Sequence, residues 1–252
     1  MRPTVSGRTG GCIMKRVLVA LLAISMAAGV LTGCGSKGSD KTFTVGFDAE
    51  FPPYGYRDDS GEYVGFDLDL AAEVCKRQGW ELVKQPIDWD AKDMELSSGA
   101  IDCIWNGFTM NGREDAYTWT EPYVDNSQVF VVAAASGVQN KEELAGKVVA
   151  LNDEENADNI ALRDSFAQLI EYADYNTAFM DLEQGAVDAV AIDIGVAQYQ
   201  IAQREAGKFV MLQGEDNKLA VEQYAVGFLK GNDELRNTVQ KIARFCTTNF
   251  MK

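Results

Sequence analysis

The chain carries 38 carboxylates, five thiols and not one imidazole, and that inventory decides much of the chemistry open to it. Without histidine there is no Ser-His-Asp or Cys-His catalytic group, no histidine-ligated zinc and no imidazole acid–base step. The thiols are Cys12, Cys34, Cys75, Cys103 and Cys246. Their spacing assigns no disulfide, and buried free thiols are the expected state of Cys75, Cys103 and Cys246. Against the acids stand 23 bases, for a net charge of −15. Arg2, Arg8, Lys15 and Arg16 are the only ionisable side chains of their kind before residue 34, so the remainder holds 19 bases against 38 acids, a charge of −19. Such a body repels phosphate backbones and anionic headgroups, and nucleic acid is not an expected partner.

The elements that must position any site begin after an N-terminal address. Lys15-Arg16 precedes an apolar run from Val17 to Leu31. At about 1.5 Å per residue that run covers roughly 22 Å, short of a hydrocarbon core of about 30 Å. A basic start, a short apolar core and small residues before a cut site describe a secretory signal. Leu31-Thr32-Gly33-Cys34 resembles the bacterial lipobox, which implies residues 1–33 as signal peptide and Cys34 as the lipidated first residue. Several acyl chains, at about 0.8 kcal/mol per buried CH₂, anchor stably where one myristoyl chain does not. The thirteen residues before Met14 are unlike a signal, so Met1 and Met14 both stand as starts. Residues 34–41, through Gly35-Ser36-Lys37-Gly38-Ser39-Asp40, read as a flexible tether.

With 46% hydrophobic and 24% charged residues, the rest is a folded body long enough for two modest lobes. Thr42–Phe47 alternates as a strand. A helix opens at Gly65-Phe66-Asp67-Leu68-Asp69-Leu70, with Asp67 as its N-cap and Gly79 as its stop. Asp90–Ser98 reads as a helix stopped by Gly99, Ile101–Trp105 as a buried strand and Ser127–Ala134 as a long apolar strand. Alternation restarts with strands over Lys147–Leu151 and Val187–Ile192 and helices over Thr177–Gln184 and Ile194–Ala206. Phe209–Leu212 and Gln223–Phe228 follow as strands, and a last helix starts at Asn232. Alternating strands and helices predict mostly parallel sheets. Gly99-Ala100-Ile101-Asp102 and Gly185-Ala186-Val187-Asp188 repeat one helix-to-strand turn.

A family resemblance then rests on eight motifs in order. They are Asp48-Ala49-Glu50-Phe51-Pro52-Pro53-Tyr54, the Gly65–Leu70 segment, Asp88-Trp89-Asp90, Asn106-Gly107-Phe108-Thr109 with Arg113, Trp119-Thr120-Glu121-Pro122-Tyr123, Gly146-Lys147-Val148-Val149-Ala150, Asp188-Ala189-Val190 with Asp193, and Gln223-Tyr224 through Gly231. Together they resemble the polar-amino-acid solute-binding proteins of ABC importers (extracellular solute-binding proteins, family 3) over residues 42–240. The resemblance implies an α/β, bilobal, type II periplasmic-binding-protein-like fold, with two mixed sheets flanked by helices and joined by two hinge strands. It puts lobe 1 at 42–127 plus 226–252 and lobe 2 at 128–225. It further implies a monomer outside the cytoplasm, held to the membrane by its lipid alone, whose partners are a free amino acid and the permease subunits. No cofactor, metal or catalytic residue is implied.

By the same resemblance the ligand is held by Asp48, Phe51, Trp89, Asn106, Gly107, Thr109, Arg113, Asn156 and Asp193. Burying a zwitterion demands charge partners. Arg113 suits the α-carboxylate through its planar fork, Thr109 and the Asn106–Thr109 backbone add donors, and Asp193 suits the α-ammonium. Phe51 and Trp89 flank the ligand, and Asp48 meets its distal end. Plainer roles stand beside these: an ion pair of Arg113 with Glu114 or Asp115, helix capping by Asp193, loop packing by Phe51, core packing by Trp89 and a turn at Asp48. Asp48, Glu50, Asp88 and Asp90 favour Lys, Arg, ornithine, His or Gln over Glu and Asp. Two departures mark the chain. Asn152-Asp153-Glu154-Glu155-Asn156 replaces a loop usually built of Ser, Thr or Gly, and Gly107-to-Arg113 is one residue short. The tail Phe245–Lys252 also reads unlike the family, which leaves lobe 1 short of packing surface. The other functions the resemblance leaves open are a dehydratase of the cyclohexadienyl type, with Glu50 or Glu155 as general acid, and an extracellular sensor.

Overall fold

The computed structural model describes residues 41–152 and 163–250, with side chains through Ala243. Among the described residues no helix is long and apolar enough to cross a membrane. Strand β1 (Thr42–Phe47) turns Phe43, Val45 and Phe47 into the core, as its alternation requires. A small antiparallel sheet follows, made of β2 (Glu50–Phe51), β3 (Gly55–Arg57) and β4 (Tyr63–Val64). Next come α1 (Phe66–Gln78), β5 (Glu81–Pro86), α2 (Lys92–Ser98), β6 (Cys103–Ile104) and β7 (Thr118–Trp119). The chain goes on through β8 (Val124–Ala133), β9 (Val148–Leu151), β10 (Gln168–Glu171), α3 (Tyr175–Gln184), β11 (Ala189–Asp193) and α4 (Ile194–Ala202). It ends with β12 (Phe209–Met211), β13 (Ala220–Tyr224), β14 (Gly227–Phe228) and α5 (Asp233–Phe250).

Two larger sheets organise these elements. One has the order β5-β1-β6-β14-β7; the other has β10-β9-β11-β8-β12, with β13 also on β8. In the first, β1 runs parallel to β5 and β6, whereas β14 is antiparallel to β6 and β7. In the second, β9 is parallel to β10 and β11, whereas β8 is antiparallel to β11, β12 and β13. Both sheets are therefore mixed rather than mostly parallel. A parallel neighbour needs a crossover connection, and β14 has none, because it arrives directly from the other sheet. The expected single strand Gln223–Phe228 is for the same reason two strands in two sheets. Val226 N–H, at the break between them, donates to Thr120 Oγ1 at 2.9 Å. Strands β8 and β13 pair from Val124↔Tyr224 to Gln128↔Ala220 and form the ribbon by which the chain passes between sheets.

The repeated Gly-to-Asp turn has one physical content in both places. Gly99 and Gly185 end α2 and α3 in the left-handed conformation, which costs glycine little. Three residues later Asp102 accepts from Thr44 N–H at 2.7 Å and Asp188 from Val148 N–H at 2.9 Å. Each carboxylate thus satisfies a backbone donor of the neighbouring strand, Thr44 within β1 and Val148 at the start of β9.

In the first sheet's layer α1 packs on α5, burying Leu68, Ala71 and Val74 against a face carrying Leu235, Val239, Ile242 and Ala243. These contacts belong to the part of the last helix before Phe245; the side chains of the tail Phe245–Lys252 lie outside the described residues. Cys75 and Cys103 are buried and free; burial pushes the Cys75 thiol up to about 11 and the Cys103 thiol well above the ordinary range, so both are protonated and unreactive.

Candidate functional site

Eight of the nine expected ligand residues meet at one cavity. Asp48, Phe51 and Trp89 line it from the ends of β1, β2 and β5, and Asn106, Gly107, Thr109 and Arg113 from the loop after β6. Asp193, at the end of β11, faces them from the other sheet, together with Asn152 after β9 and Tyr175 at the start of α3. The remaining expected residue, Asn156, lies outside the described residues, as does Cys34. The cavity encloses about 440 Å³ of empty space, its mouth included, and lies at the carboxyl ends of strands, where open α/β sheets leave a crevice.

One wall is a rigid donor loop. Gly107 adopts φ 58°, and a Cβ there would stand 2.9 Å from Phe51 Cε1, so backbone conformation and close approach both require glycine. The Gly107 N–H donates to Asp67 Oδ2 at 2.6 Å, and Tyr123 O–H donates to the same oxygen at 2.8 Å. This corrects the expectation for Asp67. It does not cap its helix: Gly65 holds the N-cap position with no side-chain cap, and Asp67 turns inward, fully buried. Capping residues and inward anchors share one sequence signature, a lone Asp at a helix start, and only the third dimension separates them. Burial raises Asp67 to about 7, against the opposing pull of its two hydrogen bonds.

Arg113 follows on a tight turn, which absorbs the missing residue: its N–H donates to Met110 carbonyl at 3.0 Å, with Gly112 at φ 80°. Arg113 Nη1 donates to the Thr109 carbonyl at 3.1 Å, its guanidinium lies 5.5 Å from the Phe108 ring centre, and Trp119 Nε1 donates to its carbonyl at 3.0 Å. Arg113 therefore has both its backbone and its planar head held against the cavity wall.

The opposite wall is acidic, with one oxygen of each acid taking several hydrogen bonds. Asp193 occupies the N-cap position of α4 but makes no cap hydrogen bond, so the capping role is not the one it plays. Its Oδ1 accepts from Gln128 Nε2 at 2.8 Å, from Tyr224 O–H at 2.6 Å and from Asn126 Nδ2. Burial first, and then the charge of Glu222, raise it to about 7. Glu222 escaped the sequence reading because strand periodicity around it is broken by neighbours of every kind. It is buried, and its Oε2 accepts from Thr109 Oγ1 at 3.1 Å, Asn126 Nδ2 at 3.0 Å and Gln128 Nε2 at 3.4 Å.

Aromatic rings close the remaining sides. Phe51 stacks on Tyr54 at 5.8 Å and reaches Tyr175 of α3 at 6.3 Å. Trp89 meets Phe108 edge-on at 5.4 Å and is only half-buried, so it is a wall rather than core. Asp48 serves its turn and the cavity at once: Oδ1 accepts from Glu50 N–H at 2.8 Å. Burial, with nearby Glu50, Asp174 and Asp88, raises its carboxyl to about 6. Asn152 was not singled out from sequence; its Nδ2 donates to the carbonyls of Tyr172 and Ala173 at 3.0 and 3.1 Å, which fixes the end of β9 at the rim. Glu50, one of the two acids a dehydratase reading needs, is exposed and does not line this cavity. The other, Glu155, lies outside the described residues.

A guanidinium and a donor loop face a buried carboxylate across a slot walled by rings, an arrangement that complements a small zwitterion. Two mixed sheets, a two-strand ribbon between them and a cavity lined from both define a bilobal type II binding fold. The chain belongs to the bacterial extracellular solute-binding proteins, family 3, whose model matches residues 43–249. That match includes most of the tail that reads unlike the family in sequence. The chain is 26% identical over 231 residues to the lysine/arginine/ornithine-binding periplasmic protein of Escherichia coli K12, covering 88% of this chain and 89% of that protein. It is 27% identical over 241 residues to the histidine-binding periplasmic protein of the same organism, covering 90% of each. Among solved structures, an ABC uptake transporter substrate binding protein from Streptococcus pneumoniae with bound histidine superposes with a TM-score of 0.74 at 30% identity, covering 81% of this chain and 86% of that one. The arginine-bound form of truncated ArgBP from T. maritima gives 0.73 at 30% identity, covering 81% and 95%. These relatives are binding proteins; the two from Escherichia coli are periplasmic, and the one from Streptococcus pneumoniae belongs to an ABC uptake transporter.

Proposed function

We propose that this protein is the lipid-anchored, extracytoplasmic binding component of an ABC importer and captures a polar amino acid, cationic or amide in its side chain. The observation that carries the reading is the opposition of Arg113 and Asp193 across one cavity, each from a different sheet. The α-carboxylate is received by Arg113, Thr109 and the Asn106–Thr109 backbone, and the α-ammonium by Asp193. Phe51 and Trp89 exclude water from the aliphatic part, and Asp48 meets the distal group. Asn156 adds a donor from the second lobe. In this reading lobe 1 comprises 42–127 and 226–252 and lobe 2 comprises 128–225. A ligand bridging them shifts the open–closed equilibrium toward closed, and the closed form is delivered, as a monomer, to the permease. Cys34 carries the lipid.

Support for a cationic or amide side chain comes from the carboxylates Asp48, Asp88 and Asp90 near Trp89, with Arg113 the one arginine lining the cavity among the described residues. Thermal melts of residues 35–252 with each of the twenty amino acids, ornithine and cystine test the reading. Saturation at 100 times Kd stabilises by about 2.7 kcal/mol, and the expected outcome is a rise of several degrees with one chemical group of ligands. A cooperative melt that no amino acid moves overturns it.

A further inference from the structure

The ammonium end of the cavity holds two buried carboxylates where a single cation is to be received. Asp193 and Glu222 are 5% and 4% exposed. They share both of their amide donors, Asn126 Nδ2 and Gln128 Nε2. Two acids that lean on the same two N–H groups are close neighbours, and two such anions do not both ionise at ordinary cost. Glu222 also accepts from Thr109 Oγ1, so it ties the donor loop to the acidic wall.

We propose that Asp193 and Glu222 act as one proton-sharing pair, which holds a proton while the cavity is empty and gives it up when the ligand ammonium arrives. Glu222 is then a positioning and specificity residue: it never needs to touch the ligand, but it decides whether Asp193 is charged. The balance is simple. The empty pair carries one proton and one negative charge; the loaded pair carries two negative charges beside one ammonium, and one proton leaves to solvent. A neutral group of the same shape as an ammonium cannot replace the proton's charge, so the pair discriminates against ligands lacking it.

The groups facing the pair are few. Asn126 and Gln128 face it from β8 and Tyr224 from β13, and Tyr54 comes from the turn after β2, its hydroxyl raised partly by Asp193. Arg113 lines the same cavity and is the cation there; in the binding reading, on which this inference rests, it is matched by the ligand carboxylate. The raised value of Asp193, near 7 and owed to burial and then to Glu222, places the exchange in an accessible range. Asp48 also lines the cavity, and burial raises its carboxyl to about 6; it is left intact in the Glu222 variant, so any proton it gives up persists there.

The test is calorimetric titration of the purified protein with L-arginine, whose charges are constant from pH 5.5 to 8, in pairs of buffers differing in ionisation enthalpy. The wild type is expected to release close to one proton at pH 6 and almost none at pH 8, with Kd weakening about tenfold or more between pH 8 and 5.5. Glu222→Gln is expected to release far less and to lose most of that pH dependence. Wild-type binding with no buffer dependence at pH 6 overturns the proposal without recourse to any variant. So does a Glu222→Gln protein that releases as many protons as the wild type. Failure of L-arginine, L-lysine, L-ornithine and L-glutamine all to bind is a different result: it overturns the binding reading, and this inference falls with it.

Discussion

The Gly107 N–H and the Tyr123 hydroxyl converge on one carboxylate oxygen of Asp67, and that convergence fixes the conformation of the donor loop. Asp67→Ala leaves two buried donors unmet, at about 1–3 kcal/mol each; the expected result is a tenfold or greater rise in Kd for the bound amino acid in calorimetry and a lowered melt. Asp67→Asn keeps one acceptor and is expected to fall between the two. Unchanged affinity in Asp67→Ala contradicts the anchoring role. The raised carboxyls also set the sign of the pH dependence. Asp67, Asp193 and Asp48 bind protons more tightly folded, near 7, 7 and 6, than unfolded, near 4. Between about pH 4 and 7 the native state therefore holds more protons, and stability is lost as pH rises through that window. The ligand-free melt is predicted to fall by several degrees from pH 5.5 to 8, and a melt that rises over this range contradicts it. The family resemblance pointed to Arg113, Asp193, Phe51 and Gly107, whose chemistries suit a zwitterion, and the structure gathers them at one cavity. The resemblance could not reveal Glu222 or the inward turn of Asp67, since both depend on which way a side chain points.

At the scale of elements, two features that sequence periodicity reads well are the helix stops at Gly79, Gly99 and Gly185, all left-handed as expected, and the long strand now seen as β8. What it reads poorly are two-residue strands such as β2, β4 and β7, too short to show a period, and the break between β13 and β14, where the sequence runs on and only the sheet changes. The repeated Gly-to-Asp turn gives a direct prediction. Asp102→Ala and Asp188→Ala each strand a backbone N–H of a core strand, that of Thr44 in β1 and that of Val148 in β9, and each is expected to cost about 1–2 kcal/mol in denaturant melts while leaving ligand affinity within twofold. A loss confined to binding contradicts this. Gly195 supplies a second test. It is the second residue of α4, and the Tyr54 hydroxyl occupies the space a Cβ would take. Tyr54 belongs to the turn before β3, so this is a contact between the two halves of the cavity wall. Gly195→Ala is expected to wedge the halves apart, weakening ligand affinity at least tenfold and enlarging the radius of gyration of the ligand-saturated protein in solution scattering. Identical scattering and affinity contradict the contact's role in closure.

Across the whole molecule, a body with 38 acids to 19 bases after residue 33 is, on the proposed reading, one that encloses its ligand between a cation and a buried acid pair lining the same cavity. The fold puts these walls on different sheets, joined by a ribbon of β8 and β13 that itself carries Asn126, Gln128, Glu222 and Tyr224. On the proposed reading, the strands about which the halves close are also the strands that set the charge of the ammonium site. Capture and closure are on this account one event, which ordinary single-site pockets do not require. The most direct measurement takes the amino acid that raises the melt most and titrates it calorimetrically into the wild type, Arg113→Ala and Asp193→Asn, each shown to be folded by circular dichroism. Removing one partner of a buried charge pair costs about 3–5 kcal/mol, so one-to-one binding by the wild type and a loss of at least a hundredfold in each variant is the predicted result. Equal affinity in all three proteins would contradict a zwitterion held between Arg113 and Asp193.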